Sequence, residues 1–264
     1  MNLQGKSKVT VATYKSLLKS FLIRYKYKPE PDHINSSEIK GYLVAIRSRS
    51  TLIQTHSVLN IFYTNVIGQH TKIDKISRPK RKNKLPVVLN KKEALAIINQ
   101  PSYIKHRAML YLLYSSGIRI SELLNLKVKD IDSDRMVIHI WDGKGGKDRI
   151  TLLGRATLHI LREYFKVCRP KLYLFEGADY SKYSSASVNK VIGRATRELS
   201  INKVVTAHTF RHSFATQLLE NKVDLFKIQK LLGHSSIKTT QIYLQVSSEE
   251  IESIVSPLDF AIAG

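Results

Sequence analysis

The spacing of apolar positions predicts a helical N-terminal third. Tyr14, Leu17, Leu18, Phe21, Leu22 and Tyr25 recur at three- and four-residue intervals and form one apolar face, ended by Pro29 and Pro31. A second helix is expected from about Ser36, where Ser-Ser-Glu offers an N-cap, burying Ile39, Tyr42, Leu43 and Ile46. A third, from about Thr51 to Ile67, carries Leu52, Val58, Leu59, Phe62, Tyr63 and Val66. These stripes read as core. That leaves the basic residues of the opposite faces, among them Lys15, Lys19, Arg47 and Arg49, to meet a partner.

The periodicity then stops. SRPKRKNKLP, residues 77–86, has two prolines and five basic residues, the pattern of an exposed linker. Asn90 followed by Glu93 predicts a capping box opening the next helix. Residues 104–116 form an apolar helix stopped by Gly117. MVIHIW (136–141) and RITLL (149–153) are short β-rich runs around DGKGGKD, a hairpin pattern. Further helices are expected at about 155–167, 186–199, 208–220, 224–232, 236–246 and 249–255. The expected fold class is mainly α with a small antiparallel sheet. It is divided into a helical domain over 1–76, a basic linker over 77–86 and a second domain over 87–264.

Charge narrows the partner. Among 264 residues, 43 Lys and Arg stand against 21 Asp and Glu, a net of +22. Residues 1–84 hold 17 basic and 4 acidic side chains, so the surplus concentrates there. A surplus of this size repels itself and is offset by a polyanion. No long basic amphipathic helix favours a membrane surface, so nucleic acid is the expected partner. In that reading Arg78, Lys80, Arg81, Lys82 and Lys84 of the linker track a DNA backbone. No uninterrupted apolar run of about 18 residues is present. The start lacks a secretory pattern, and the single cysteine, Cys168, allows no intrachain disulfide. A cytoplasmic, nucleoid-associated location is expected.

Four short strings could carry chemistry. In HTFRH, His208 and Arg211 share a helix face, and His208 and His212 at four-residue spacing invite a zinc reading. The metalloprotease pattern needs Glu after the first His, where Thr209 stands, so His212 reads as a packed, structural histidine and no metal is expected. In LLGHSSIKTTQIY, Gly233 ends a helix, His234 follows and Tyr243 lies nine residues on. Alone, that string fits a helix-turn-helix reader of DNA, and Tyr243 alone fits a buried aromatic. SGIRISELLNL sets Arg119 after a helix-ending glycine with Glu122 three residues further, in reach of an ion pair. Lys144 sits in the hairpin, in a string that is no phosphate-binding P-loop.

Together and in this order, Arg119, Lys144, His208-x-x-Arg211, His234 and Tyr243, set in GIRISEL, GKGGKDR, HTFRHSFAT and LLGHSSIKTTQIY, strongly resemble the tyrosine recombinase (phage integrase) family. The N-terminal helices and the LPVVLNKKEA entry to the second domain are similar to its compact Xer-like members. The resemblance implies a helical core-binding domain followed by an α-rich catalytic domain. It implies cleavage by Tyr243 to a 3′-phosphotyrosine, with Arg119 and Arg211 clamping the phosphate and Lys144 protonating the leaving 5′-oxygen. It gives His208 acid–base work, His234 a hydrogen bond to the phosphate and Glu122 an orienting role, with no cofactor. It further implies strand exchange through a Holliday junction between paired sites on double-stranded DNA. The biological setting is integration or excision of a mobile element, or resolution of chromosome dimers. The family's homotetramer would hand over the C-terminal tail, here Ile251, Ile254, Val255, Leu258 and Phe260. A non-cutting DNA binder, a single-cut topoisomerase and a helix-turn-helix regulator over 224–246 are the competing readings.

Overall fold

The computed structural model describes residues 8–69, 73, 76–77, 85–141 and 148–245. The chain divides into two compact units, Met1–Asn83 and Lys84–Gly264.

In the first unit, α1 (Lys8–Arg24) turns Phe21 fully inward, with Leu18, Leu22 and Tyr25 packed around it. α2 (Ser36–Val44) starts at Ser36 as expected, but its cap is Asn35 rather than one of the serines. Its side chain accepts the Glu38 N–H at 2.9 Å, and the Glu38 carboxylate accepts the Asn35 N–H at 2.9 Å. α3 (Arg49–Phe62) ends in a π-type turn, Tyr63–Ile67, closed by Gly68 at φ 80°. The wider turn rotates the last residues off the helical phase. Tyr63 is therefore buried, with its hydroxyl donating to the Pro31 carbonyl at 2.9 Å, whereas Val66, expected in the apolar stripe, is exposed.

The second unit is built around α5 (Ile104–Ser116), preceded by α4 (Lys91–Asn99) with the Asn90–Glu93 capping box in place. Ala108, Met109, Leu110, Leu112 and Leu113 are all buried, so α5 is covered on several sides. A short helix, α6 (Ile120–Asn125), leads to a three-stranded antiparallel sheet in the order β1 (Ile131–Asp132), β2 (Val137–Ile140), β3 (Arg149–Leu152). The predicted hairpin is there, with Ile140 opposite Arg149, and β1 is an addition. Then come α7 (Arg155–Cys168), α8 (Ser185–Glu198), α9 (Ala207–Glu220) and α10 (Leu225–Leu232).

One expectation fails in this unit. Instead of a helix over 236–246, two 3₁₀ turns occupy Ile237–Thr239 and Gln241–Tyr243. Their bonds close at i+3, Thr240 N–H to Ile237 O at 2.8 Å and Tyr243 N–H to Thr240 O at 3.0 Å. The Ser and Thr hydroxyls of SSIKTT compete with an α-helical ladder, and Thr240 bonds His234 rather than the helix backbone. The predicted helix over 249–255 and the tail residues Ile251, Ile254, Val255, Leu258 and Phe260 lie outside the described residues.

Candidate active site

The site begins where α5 ends. Gly117 takes φ 60°, and a Cβ there would overlap the Phe214 ring, so only glycine turns the chain this tightly against α9. Two residues on, Arg119 caps α6 and Glu122 occupies its third position. The Glu122 carboxylate accepts four hydrogen bonds. Arg119 donates its backbone N–H at 2.8 Å and its guanidinium at 2.7 Å, while Arg149 donates two guanidinium N–H bonds at 2.8 Å each. Burial by itself raises the Glu122 pKa. The hydrogen bonds from Arg149 and from the Arg119 backbone outweigh it and hold the carboxyl at about 2.

Arg149 reaches this position because a strand alternates its faces. Arg149 and Thr151 turn toward the helices, Thr151 donating to the Ser116 carbonyl at 2.8 Å, whereas Ile150 and Leu152 are exposed. The apolar residues of RITLL thus do not form the inward face. Sequence reasoning misses Arg149 as a site residue; its place in β3, two residues before Thr151, is the available signal.

The C-terminus of α10 holds all three arginines. Arg149 Nε donates to Leu231 O at 2.9 Å, Arg211 to Leu232 O at 2.6 Å and Arg119 to Gly233 O at 3.5 Å. Three consecutive carbonyls, left without helical partners, each take one guanidinium. Gly233 ends the helix at φ 64°, where a Cβ would stand 2.7 Å from Arg149 Cδ. Arg211 also donates to Gly117 O at 2.8 Å and is 1% exposed. Burial, then the charge of Arg119, lowers its pKa to about 10, with Glu122 opposing, so it stays cationic at neutral pH.

These groups line a cleft of about 950 Å³ with His208, His212, Lys230, His234, Lys238 and Tyr243. Tyr243 is 2% exposed, set in a small core with Phe214, Ala215, Ile228 and Leu232. Its hydroxyl lies 3.2 Å from His212 Nδ1. The His234 ring stacks at 14° on the Tyr243 ring, held by a 2.9 Å hydrogen bond between its Nδ1 and Thr240 Oγ1. His208 stands edge-to-face on His212 with centroids 4.4 Å apart. Burial and then nearby positive groups lower two of these imidazoles, His212 to about 4 beside His208 and Arg211, and His234 to about 3 beside Arg211 and Arg119. Burial pushes the Tyr243 hydroxyl upward against the opposing pull of Arg211 and Arg119.

Arg119, His208, Arg211, His234 and Tyr243 therefore meet in one cleft, with Glu122 behind the arginines. Lys144 lies outside the described residues, as do Arg78, Lys80, Arg81, Lys82 and Lys84. His212, read as structural, is in contact with the Tyr243 hydroxyl. His208 and His212 are adjacent, but among the described residues no group of three or more His, Cys, Asp or Glu side chains stands together as a metal site. In the first unit Lys15 and Lys19 lie exposed on α1 and Arg49 on α3. Arg47 is exposed in the connection between α2 and α3 rather than on a helix face.

Residues 87–250 match the model of the phage integrase family. The tyrosine recombinase XerD of Staphylococcus aureus is 39% identical over 191 residues, covering 68% of this chain and 64% of that protein. A crystal structure of the XerA recombinase aligns over 95% of this chain and 94% of its own at 29% identity and a TM-score of 0.59. The XerH site-specific recombinase, solved bound to a palindromic difH substrate as a post-cleavage complex, shares the fold. It has a TM-score of 0.77 at 23% identity, over 92% of this chain and 78% of that one. With the matched region spanning the whole arginine, histidine and tyrosine cleft, the chain belongs to the phage integrase family as a tyrosine recombinase of Xer-like type.

Proposed function

We propose that this cleft cleaves and rejoins DNA strands, with Tyr243 as the nucleophile. The chain is a tyrosine-type site-specific recombinase, and double-stranded DNA is its partner. The observation that carries the residue assignment is the convergence of Arg119, Arg211 and the Tyr243 hydroxyl on one cleft.

Two guanidinium forks fit the non-bridging oxygens of a phosphodiester in a way ammonium groups do not. Held by Glu122 and by the carbonyls ending α10, they need no reorganisation as charge grows on a phosphorane-like transition state. Tyr243 attacks phosphorus and forms a 3′-phosphotyrosine, releasing a 5′-hydroxyl. Lys144 protonates the departing 5′-oxygen. His208 supplies acid–base function in the cleft, and His234, neutral at physiological pH, donates a hydrogen bond to the phosphate. The bond energy is kept in the phosphotyrosine, so cleavage, transfer to a partner duplex through a Holliday junction and rejoining proceed without a cofactor.

In this reading residues 1–76 bind the core of the site. The exposed Lys15, Lys19, Arg47 and Arg49, with Arg78, Lys80, Arg81, Lys82 and Lys84 of the linker, meet the DNA backbone. Four protomers assemble on paired sites through their C-terminal tails. The work is done in the cytoplasm on nucleoid DNA, in moving a mobile element or in resolving chromosome dimers.

The test uses a duplex recovered from a randomised pool by binding to the chain, then nicked next to the cleavage point so that the released fragment diffuses away. Wild-type protein is expected to accumulate a covalent complex, and Tyr243→Phe to bind the duplex without accumulating any. Undiminished trapping by the Phe variant would remove Tyr243 from the role; trapping by the wild type without strand exchange on paired sites would favour a topoisomerase.

A further inference from the structure

His212 falls outside the six matched positions, yet it touches the atom on which cleavage turns. It lies one helical turn after His208 on α9, and its Nδ1 is 3.2 Å from the Tyr243 hydroxyl, presented by the turn Gln241–Tyr243. With the ring proton on Nε2, Nδ1 offers a lone pair and the hydroxyl donates to it. His212 is faced by His208 and Arg211 from its own helix and by Tyr243 from the packed turn, with His234 stacked on the far ring. Burial and those two neighbours draw its pKa down to about 4, so the lone pair is free to accept at neutral pH.

We propose that His212 is a further catalytic residue of strand cleavage, its Nδ1 aligning the Tyr243 hydroxyl and taking its proton as the oxygen attacks phosphorus. The proposal rests on Tyr243 being the nucleophile. In the step the Oη–H bond breaks and the proton passes to Nδ1, the Oη–P bond forms, and the P–O5′ bond breaks. The 5′-oxygen leaves with a proton from the acid assigned to Lys144. With no phosphate to offset Arg211, an imidazolium beside it is unfavourable, and the hydroxyl keeps its proton. A phosphodiester between the arginines offsets their charge, and the growing negative charge of the transition state favours the imidazolium further. Proton acceptance is thus coupled to DNA occupancy. On rejoining, His212 returns the proton to the departing tyrosinate.

The nicked duplex described above tests this with the full chain. His212→Ala and His212→Asn are expected to slow covalent trapping on the order of 10²-fold, the usual loss with a general base, while DNA affinity stays within about twofold, since the residue is assigned no DNA contact. Without the Nδ1 acceptor on its hydroxyl, Tyr243 must lose its proton mainly to hydroxide from solvent. Trapping by both variants should therefore climb about tenfold per pH unit above neutrality, where the wild type is flat. A 5′-bridging phosphorothiolate, whose sulfur leaves without a proton, should restore Lys144→Ala and leave the His212 variants slow.

His212→Asn keeps a polar group near the hydroxyl and serves if the Ala variant does not fold. Wild-type trapping by the Asn variant, slowing with an unchanged pH profile, or rescue by the phosphorothiolate would each overturn the proposal. If Tyr243→Phe abolishes trapping while His212→Asn is normal, the nucleophile stands and the base does not. Trapping that persists in Tyr243→Phe would overturn the nucleophile itself.

Discussion

At Glu122 four hydrogen bonds saturate two oxygens that are almost shut off from water, and two guanidinium groups depend on them. Removing the charge while keeping the shape leaves Arg119 and Arg149 facing each other without a counter-ion. Glu122→Gln is therefore expected to cost about 3 kcal/mol, as for one partner of a buried pair, measured by urea unfolding at pH 7. The same residue sets part of the acid response. Its folded pKa, about 2 against an ordinary 4.5, makes the unfolded chain take up protons first, so its contribution is present above pH 4.5 and lost toward 2. The imidazoles act at higher pH. His212 and His234, at about 4 and about 3 against an ordinary 6.5, also bind protons less readily when folded, so stability falls as pH drops below 6.5. Unfolding midpoints should thus decline between pH 6.5 and 4.5 in the wild type and decline less in His212→Asn. Equal slopes for the two proteins would contradict the buried, neutral imidazole. The arginine–glutamate pair was visible in GIRISEL, because i and i+3 on a helix start are neighbours. Arg149 acquires its role only in the fold, because a hairpin residue's partner lies far away in the chain.

At the scale of elements, the end of α10 organises the cleft. A helix C-terminus carries partial negative charge and free carbonyls, and three arginines from α9, β3 and the start of α6 use them. This requires Gly233, whose left-handed φ of 64° and close approach to Arg149 exclude a side chain. Gly233→Ala should destabilise the protein by about 1–2 kcal/mol from the left-handed strain alone. It should also slow covalent trapping, because Arg149 must shift and Glu122 with it. A variant that melts and cleaves like the wild type would show that the arginines are positioned by other means. The helix ends at Gly117 and Gly233 were readable from glycine after an apolar run. The replacement of a helix over 236–246 by two 3₁₀ turns was not, because it depends on the His234–Thr240 hydrogen bond and on Tyr243 packing into the core beneath α9 and α10.

At the scale of the whole molecule, a charge of +22 on 264 residues governs the encounter with DNA. If six to ten phosphates are neutralised, raising salt from about 50 to about 200 mM should weaken binding by roughly 10³–10⁵-fold. Duplex titrations across that range check it, and a shallow slope would mean that few of the basic side chains meet phosphate. Among the described residues no helix is long and apolar enough to cross a membrane. The sequence by itself determined the helical character, the hairpin, the glycine stops and the order of residues that marks the family, since these depend on local periodicity, backbone preference and side-chain identity. Tyr243 stands out among 13 tyrosines in the same way, by its place nine residues after His234. Only the tertiary structure decided what that tyrosine touches. The partner of its hydroxyl comes from α9, and the arginines of α9, β3 and the start of α6 find theirs in Glu122 and the carbonyls ending α10. The contact between His212 and Tyr243 and the arginine cluster therefore exist only once those elements pack.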